Sequence, residues 1–92
     1  MKAFVRNILK CYIKRLEFRH SVQQAFLKHY SLIPVKDSKR ISRKFVYEKI
    51  EEELRLDRWN ARRHYFLDCL KEIGVVPTYS KGLRYFRGII AN

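Results

Sequence analysis

The spacing of the apolar residues changes at Gly74. Before Gly74, apolar residues recur every three or four positions, which is typical of amphipathic helices. After it, Val75–Tyr79 and Leu83–Ile90 are rich in β-prone residues and flank the turn sequence Ser80-Lys81-Gly82. We therefore predict a mainly α-helical chain with a small β-hairpin, which is an α+β domain. Pro77 has no backbone N–H, so we expect its strand to face solvent on that side.

The first predicted helix has an apolar stripe with a row of basic residues opposite. A second apolar set, Val22, Phe26 and Tyr30, follows His20-Ser21 and belongs either to the same helix or to a separate shorter one. The segment Ser31–Arg40 is predicted to be a loop because it contains Pro34, Asp37 and Ser38. The stripe consists of Phe4, Val5, Ile8, Leu9, Tyr12, Ile13 and Leu16, and the basic row of Lys2, Arg6, Lys10 and Lys14.

Two further helices are predicted between this loop and the hairpin. Ser42 is a good N-cap residue, and Ile41 with Val46 fits a hydrophobic staple. Asp57 or Asn60 is the predicted cap of the next helix, which should end at Gly74, where a left-handed residue costs least. The predicted buried residues are Val46, Tyr47, Ile50 and Leu54 in the first of these helices, and Phe66, Leu67, Leu70 and Ile73 in the second.

The composition favours one basic domain spanning residues 1–92. A chain of 92 residues with 47% hydrophobic content buries one modest core. The 21 Lys and Arg residues against nine acidic ones give a net charge of +12, which favours a polyanionic partner. Basic residues interrupt every long apolar stretch, so we expect no membrane span, no signal peptide and a cytoplasmic location. Cys11 and Cys69 have no metal-ligand spacing, and we expect two buried thiols, with a disulfide as the minor alternative.

The order of helix, tight turn, second helix and hairpin is carried by Leu67, Leu70, Gly74 and the residues after them. Residues 41–89, roughly half of the chain, resemble the helix-turn-helix and wing of the winged-helix superfamily. The ending from Lys81 to Ile89 is similar to the wing of the C-terminal domains of plasmid and viral primase-helicases, and small archaeal-virus winged-helix proteins look alike. The resemblance implies a winged helix-turn-helix over residues 41–90, with a helical extension over residues 1–30, that binds double-stranded DNA.

The helix before Gly74 is the recognition helix that the resemblance implies. Such a helix keeps one face in the core and offers the other to base edges. With Phe66, Leu70 and Ile73 inward, a step of 100° per residue places five residues outward. These are Ala61, His64, Tyr65, Asp68 and Lys71.

The strongest DNA-binding candidates lie near the start of this helix. Arg62 is predicted to contact a base or a phosphate, with His64 and Tyr65 as the next groove-facing residues. Asn60 is predicted to act as a helix cap or to read an adenine. For Arg63 two roles stay open, because its angle places it either on DNA or beside the core, paired with a glutamate of the preceding helix.

The hairpin and the start of the preceding helix add further basic candidates. Lys81 at the hairpin tip, with Arg84 and Arg87, is predicted to reach the minor groove or the DNA backbone, as wings do. Arg43 and Lys44, next to Lys39 and Arg40, are predicted to clamp a phosphate at the helix start. A merely solvated surface is the alternative for these side chains. The hairpin aromatics Tyr79, Tyr85 and Phe86 are expected mainly to pack on the helices.

Two surfaces are expected to lie outside the DNA contact. Residues 48–57 carry five acids against two bases, a local charge of −3, so Glu48, Glu51 and Glu52 should face away from phosphate or be neutralised by arginines. The N-terminal helix has three candidate uses: packing across the motif, pairing with its twin in a homodimer, or lying on a membrane surface. We favour packing together with dimerisation, and we consider membrane binding the weakest of the three.

The sequence contains no phosphate-binding glycine loop, metal-ligand spacing or nucleophile motif. His20, His29 and His64 are scattered, and each is predicted to be a surface or capping residue. We therefore predict a non-enzymatic protein without a cofactor or a small-molecule substrate. The leading function is sequence-specific transcription regulation; a replication or recombination accessory that grips single-stranded or forked DNA comes second, and a protein-interaction module third.

Overall fold

The computed structural model describes the backbone of residues 2–56 and 63–92, and the side chains of these ranges from residue 15 onwards. A long N-terminal helix is followed by two short strands, two further helices and three strands. The helices are α1 (Lys2–His29), α2 (Arg43–Leu54) and α3 (Arg63–Glu72), with a 3-10 turn at Val35–Asp37. The strands are β1 (Tyr30–Leu32), β2 (Ile41–Ser42), β3 (Val76–Ser80), β4 (Leu83–Arg87) and β5 (Ile89–Ala91).

The two apolar sets at the N-terminus belong to one continuous helix, α1. Ser21 does not cap a new helix; its hydroxyl donates instead to the carbonyl of Glu17, one turn earlier, at 2.9 Å. Val22, Ala25 and Phe26 are buried, and Phe18 packs against the same core. The second half of α1 is therefore anchored on the body of the domain. The side chain of Cys11 and the apolar stripe up to Ile13 lie outside the described side chains.

Helix α2 begins and is buried as the sequence predicts. Ser42 is its N-cap residue, although the hydroxyl makes no capping hydrogen bond. Val46, Tyr47 and Ile50 are buried, and Leu54 packs against the core. The helix ends at Leu54. Its C-cap residue, Arg55, adopts a left-handed conformation with φ 54°, and Leu56 N–H donates to the carbonyl of Glu51.

Helix α3 ends at the predicted glycine. Gly74 has φ 102°, and its N–H donates to Lys71 while that of Val75 donates to Leu70, the two hydrogen bonds of a Schellman motif. Phe66 and Leu70 are fully buried, and Leu67 and Ile73 are partly buried against the core. Cys69 is a free, buried thiol, and burial raises its pKa. The predicted caps Asp57 and Asn60 lie outside the described residues.

The predicted hairpin is present and belongs to a three-stranded antiparallel sheet of order β2-β4-β3. Its turn places Lys81 and Gly82 at φ 52° and φ 77°, the left-handed pair that a two-residue hairpin turn requires. Pro77 pairs with Phe86 on the edge strand β3, in agreement with the prediction that its strand has one open side. The pairing of β2 with β4 was not expected from the sequence.

Two predictions are wrong: the extent of the loop after Tyr30 and the length of the last hairpin strand. The segment after Tyr30 is not all loop, because Tyr30–Leu32 forms β1, and the last hairpin strand does not run to Ile90. Gly88, at φ 82°, separates β4 from β5, which pairs antiparallel with β1 so that Leu32 lies opposite Ile89. Each strand has only three residues, which leaves little periodic signal in the sequence, and the two strands lie far apart in the sequence, so their pairing is non-local.

The described residues form one compact α+β domain with the core between the helices and the sheets. Phe26, Phe66 and Phe86 are fully buried at its centre, and Tyr47 packs edge-on against Phe86. In the part of the chain that is described, no helix has the length and apolarity to cross a membrane.

Candidate nucleic-acid interface

A groove lies where the first turns of α2 and α3 meet strand β4. Its volume is about 570 Å³. We call it the basic groove because five of the predicted DNA-binding residues line it, contributed by three different elements. The lining residues are Ser42, Arg43, Lys44, Tyr47, Arg63, His64, Leu67, Leu83, Arg84 and Tyr85.

Arg63 lines the groove and forms an ion pair with α2. Its Nε donates to Glu51 Oε1 at 2.6 Å and Nη2 donates to Oε2 at 3.3 Å. The guanidinium also lies 5.6 Å from the centre of the Tyr47 ring. The hydrogen bond to Glu51 raises the pKa of Arg63, so this side chain stays charged while its carboxylate partner compensates it. The structure thus gives Arg63 the ion-paired role that the sequence left open.

Arg43 holds the hairpin against α2. Its Nε donates to the carbonyl of Tyr85 at 3.0 Å and Nη2 donates to that of Thr78 at 2.9 Å. Its guanidinium carbon lies 5.3 Å from the centre of the Phe86 ring. Arg43 therefore joins α2 to both hairpin strands, and the charge that it brings to the groove is fixed in position.

Lys44, His64 and Arg84 are exposed around the same groove. The His64 ring contacts that of Tyr65, with ring centres 4.5 Å apart. Tyr65 keeps 38% of its surface exposed, and Asp68 and Lys71 are also exposed. The outward face predicted for this helix is thus confirmed over its described part. His64, on this face, lines the groove together with Leu83 and Arg84 of the hairpin.

Arg87 does not have the free wing position that the sequence predicted. Its Nη2 donates to the carbonyls of Val35 and Ser38 at 3.0 Å and 3.1 Å, which ties the end of β4 to the 3-10 turn. With Ser38, Lys39 and Arg40 it lines a second, more open groove of about 450 Å³, the loop groove. Arg87 therefore contributes charge to a surface beside the hairpin while its guanidinium braces the loop.

Arg40 connects the two grooves, although in the sequence it is distinguished only by its place in a basic cluster. Its guanidinium carbon lies 5.3 Å from the centre of the ring of Tyr85, a residue of the basic groove, while Arg40 itself lines the loop groove. Positive charge therefore continues from one groove to the other across β4. Tyr85 lies opposite Ser42 in the pairing of β2 with β4, which the sequence does not predict, so the contact of Arg40 with Tyr85 could not be foreseen.

Lys81, Asn60 and Arg62 complete the set of predicted DNA-binding residues. Lys81 is exposed at the tip of the hairpin, as expected. Asn60 and Arg62 lie outside the described residues, so their predicted contacts remain predictions.

No family model, no curated protein and no solved structure matches this chain.

The electrostatics separate acids from the two grooves. None of the described residues that line either groove is acidic. Glu53 accepts from Lys28 at 2.7 Å and Glu72 accepts from Arg19 at 2.7 Å, so two acids outside the grooves are compensated locally. Glu48 and Glu52 are exposed on α2. An anion in either groove would therefore meet positive charge with no carboxylate among the described lining residues.

Within the described ranges, no three His, Cys, Asp or Glu side chains are grouped closely enough to hold a metal ion. The Tyr47 phenol beside the arginines has its pKa raised by burial, with the charge of Arg43 acting against that rise. The basic groove consequently offers cations and neutral aromatic surface, which is the chemistry of an anion-binding interface.

Proposed function

We propose that this chain is a DNA-binding protein of the winged helix-turn-helix type. The element order supports the proposal: a helix, a short strand, two helices and a hairpin whose second strand pairs with that short strand, in the order β2-β4-β3. The observation that carries it is the meeting of five basic side chains from α2, α3 and β4 in one groove, with no carboxylate among its described lining residues.

The proposal assigns two kinds of work to these side chains. Lys44, Arg84 and Lys81 are exposed and would neutralise phosphates. Arg43 and Arg63 are positioning residues, because their guanidinium groups are held by carbonyls and by Glu51. The DNA would thus approach three exposed cations placed around two arginines that are held in position.

Base reading falls to the outward face of α3. His64 and Tyr65 are the described candidates, and Asn60 and Arg62 extend them towards the helix start by sequence. Farther along, Asp68 is exposed on the same face and repels phosphate. We therefore propose that only the first part of α3 enters the major groove, with the hairpin as the flanking wing, and that the protein acts as a sequence-specific transcription regulator.

Salt titration of duplex binding tests the proposal. The logarithm of the affinity should fall with the logarithm of salt concentration by about 0.9 per phosphate contact. The double variant Lys44→Ala/Arg84→Ala should weaken binding and reduce the slope by about 2. Lys49→Ala is the matched control, since Lys49 is an exposed cation on α2 that does not line the basic groove. Equal affinities for the double variant and the control would reject this interface.

Selection of bound sites from random duplexes tests the regulatory role. A defined consensus that changes on substitution of His64 or Tyr65 supports base reading by α3. If the chain instead binds a partner protein tightly, with an affinity that depends only weakly on salt, and has no affinity for duplex DNA, the interaction-module alternative is supported.

A further inference from the structure

Four apolar or aromatic side chains also line the basic groove, which phosphate binding does not explain, and we call these four its apolar floor. Tyr47 and Leu67 come from the helices, and Leu83 and Tyr85 come from β4. Leu83 is 59% exposed and does not belong to the buried core of the domain. An intact duplex presents charged phosphates and sugars at its surface and keeps its bases stacked, so it gains little from such a floor.

We propose that the basic groove accepts an unpaired nucleotide, its base against the apolar floor and its phosphate against Lys44 and Arg84. The inference rests on the proposed DNA binding and extends its ligand from the intact duplex to DNA with a single-stranded end or a duplex-to-single-strand junction. Proteins that bind single strands combine a basic path for the backbone with apolar or aromatic surfaces for the bases. The basic groove contains both, contributed by three elements of the fold.

The dimensions and rigidity of the groove agree with this ligand. Its volume of about 570 Å³ falls within the range of pockets that hold small organic molecules. The walls are fixed: Arg43 bonds to two hairpin carbonyls, Arg63 bonds to Glu51, and Tyr47 packs against Phe86. A nucleotide would therefore enter a preformed site, and little ordering of the protein would oppose binding.

The loop groove provides a path for the strand beyond that nucleotide. Arg40 lies over Tyr85 on one side and lines the loop groove with Lys39 and Arg87 on the other. A single strand with its base in the basic groove would thus meet further cations along its backbone. The duplex arm would remain on α3 and the hairpin tip.

The test compares three labelled DNAs by fluorescence anisotropy: a blunt duplex, the same duplex with a short thymidine overhang, and the thymidine strand alone. We expect the wild-type protein to bind the overhang duplex at least about tenfold more tightly than the blunt one, the usual scale of one base-stacking contact. Leu83→Ser should remove most of this preference while blunt-duplex affinity stays within about twofold, because Leu83 contacts only the unpaired base in the proposal.

Tyr79→Ser is the matched control. Tyr79 lies in the same hairpin and is 68% exposed, but it does not line the basic groove, so the overhang preference should persist in this variant. Tyr85→Leu gives a second test that keeps an apolar floor but removes the aromatic ring, and its unfolding temperature reports on folding. Equal wild-type affinity for blunt and overhang duplexes would overturn the unpaired-nucleotide site and leave duplex binding standing. Failure to bind any of the three DNAs would overturn the proposed function as well.

Discussion

Arg63 at the start of α3 grips the Glu51 carboxylate of α2 through two hydrogen bonds, of 2.6 Å and 3.3 Å. The pair joins the two helices of the proposed DNA-binding motif at the edge of the basic groove. Glu51 retains only 12% exposure of its side chain, whereas Arg63 retains 37%. One acid of the α2 acidic cluster is thus neutralised by an arginine, while Glu48 and Glu52 remain exposed.

Glu51 and Glu52 should therefore respond differently to substitution. Glu51→Gln removes the charge that holds Arg63 and should cost about 1–2 kcal/mol of unfolding free energy, moderated by the partial exposure of the arginine. Glu52→Gln should leave stability nearly unchanged and strengthen DNA binding slightly, because it removes a negative charge that repels phosphate. Chemical denaturation and duplex titration measure the two effects. Equal stability losses in the two variants would contradict the role assigned to the Arg63–Glu51 pair.

Arg43 and Lys44 are neighbours in sequence with opposite expected roles. Arg43→Lys loses the planar fork that bonds to Tyr85 and Thr78, so we expect a stability loss of about 1–2 kcal/mol. Lys44→Ala, at an exposed position, should leave stability within about 0.5 kcal/mol and weaken DNA binding. Thermal unfolding together with DNA titration separates the two. A binding defect without a stability defect in Arg43→Lys would place Arg43 on the DNA instead.

Ser38 joins the loop to the end of the hairpin. Its buried hydroxyl accepts from Gly88 N–H at 2.8 Å and donates to the carbonyl of Val35 at 2.7 Å. Ser38→Ala leaves a buried N–H without its acceptor, which should cost about 1–3 kcal/mol. Ser80→Ala, at a partly exposed hairpin position, is the control and should change the unfolding free energy by less than about 0.5 kcal/mol. Denaturant unfolding of both variants checks the difference.

The helices and the hairpin could be predicted because their signals are local. The three- and four-residue spacing of Val46 and Ile50, and the glycine after Ile73, each depend on neighbours within one or two turns. The same local angle argument left Arg63 either on DNA or beside the core and paired with a glutamate, and the structure shows the pair with Glu51. Features of this kind could be predicted because they depend on the local periodicity of the chain.

The rest of the site depends on contacts between distant residues. The β2–β4 pairing brings Ile41 opposite Phe86, and Arg87 finds its acceptors about fifty positions earlier in the chain. Strands of two or three residues have no measurable alternation, and an arginine that binds backbone carbonyls has no partner recognisable by residue type. The sequence therefore indicates which cations are present, but not which of them are engaged in holding the fold.

The contact between α1 and α2 predicts a stability change in acid. Hydrogen bonds, from Lys28 first and then from His29, lower the pKa of Glu53 below its ordinary value of 4.5. Because the folded pKa is depressed, the stabilisation is present above the unfolded pKa and is lost as pH falls through the folded one. Glu53→Gln should thus be less stable than wild type at neutral pH, and the difference in stability should shrink as the pH falls below 4.5 and through the lowered pKa of Glu53. Urea unfolding at several pH values checks this, with Glu52→Gln as the control.

Pairing of two chains through the first half of α1, which we favour for its apolar stripe, would bring many positive charges together. Residues 2–16 contain five basic residues and no acid. The long axis of the molecule, 52 Å against 26 Å and 25 Å, agrees with a helix that extends beyond a small body. Salt should therefore strengthen the dimer by screening this repulsion, whereas it weakens DNA binding. Sedimentation velocity at about 0.05 M and about 0.5 M salt measures the effect.

Two aspartate substitutions distinguish the apolar stripe from the basic side of the same helix. Ile8 belongs to the stripe, and Asn7 lies on the opposite side of the helix. Both Ile8→Asp and Asn7→Asp lower the net charge by one, so repulsion falls equally, but only Ile8→Asp places a carboxylate in the proposed apolar contact. We expect Ile8→Asp to stay monomeric at both salt concentrations and Asn7→Asp to associate at least as well as wild type. Association that weakens as salt rises, or that survives Ile8→Asp, would show that charge rather than the stripe joins the chains.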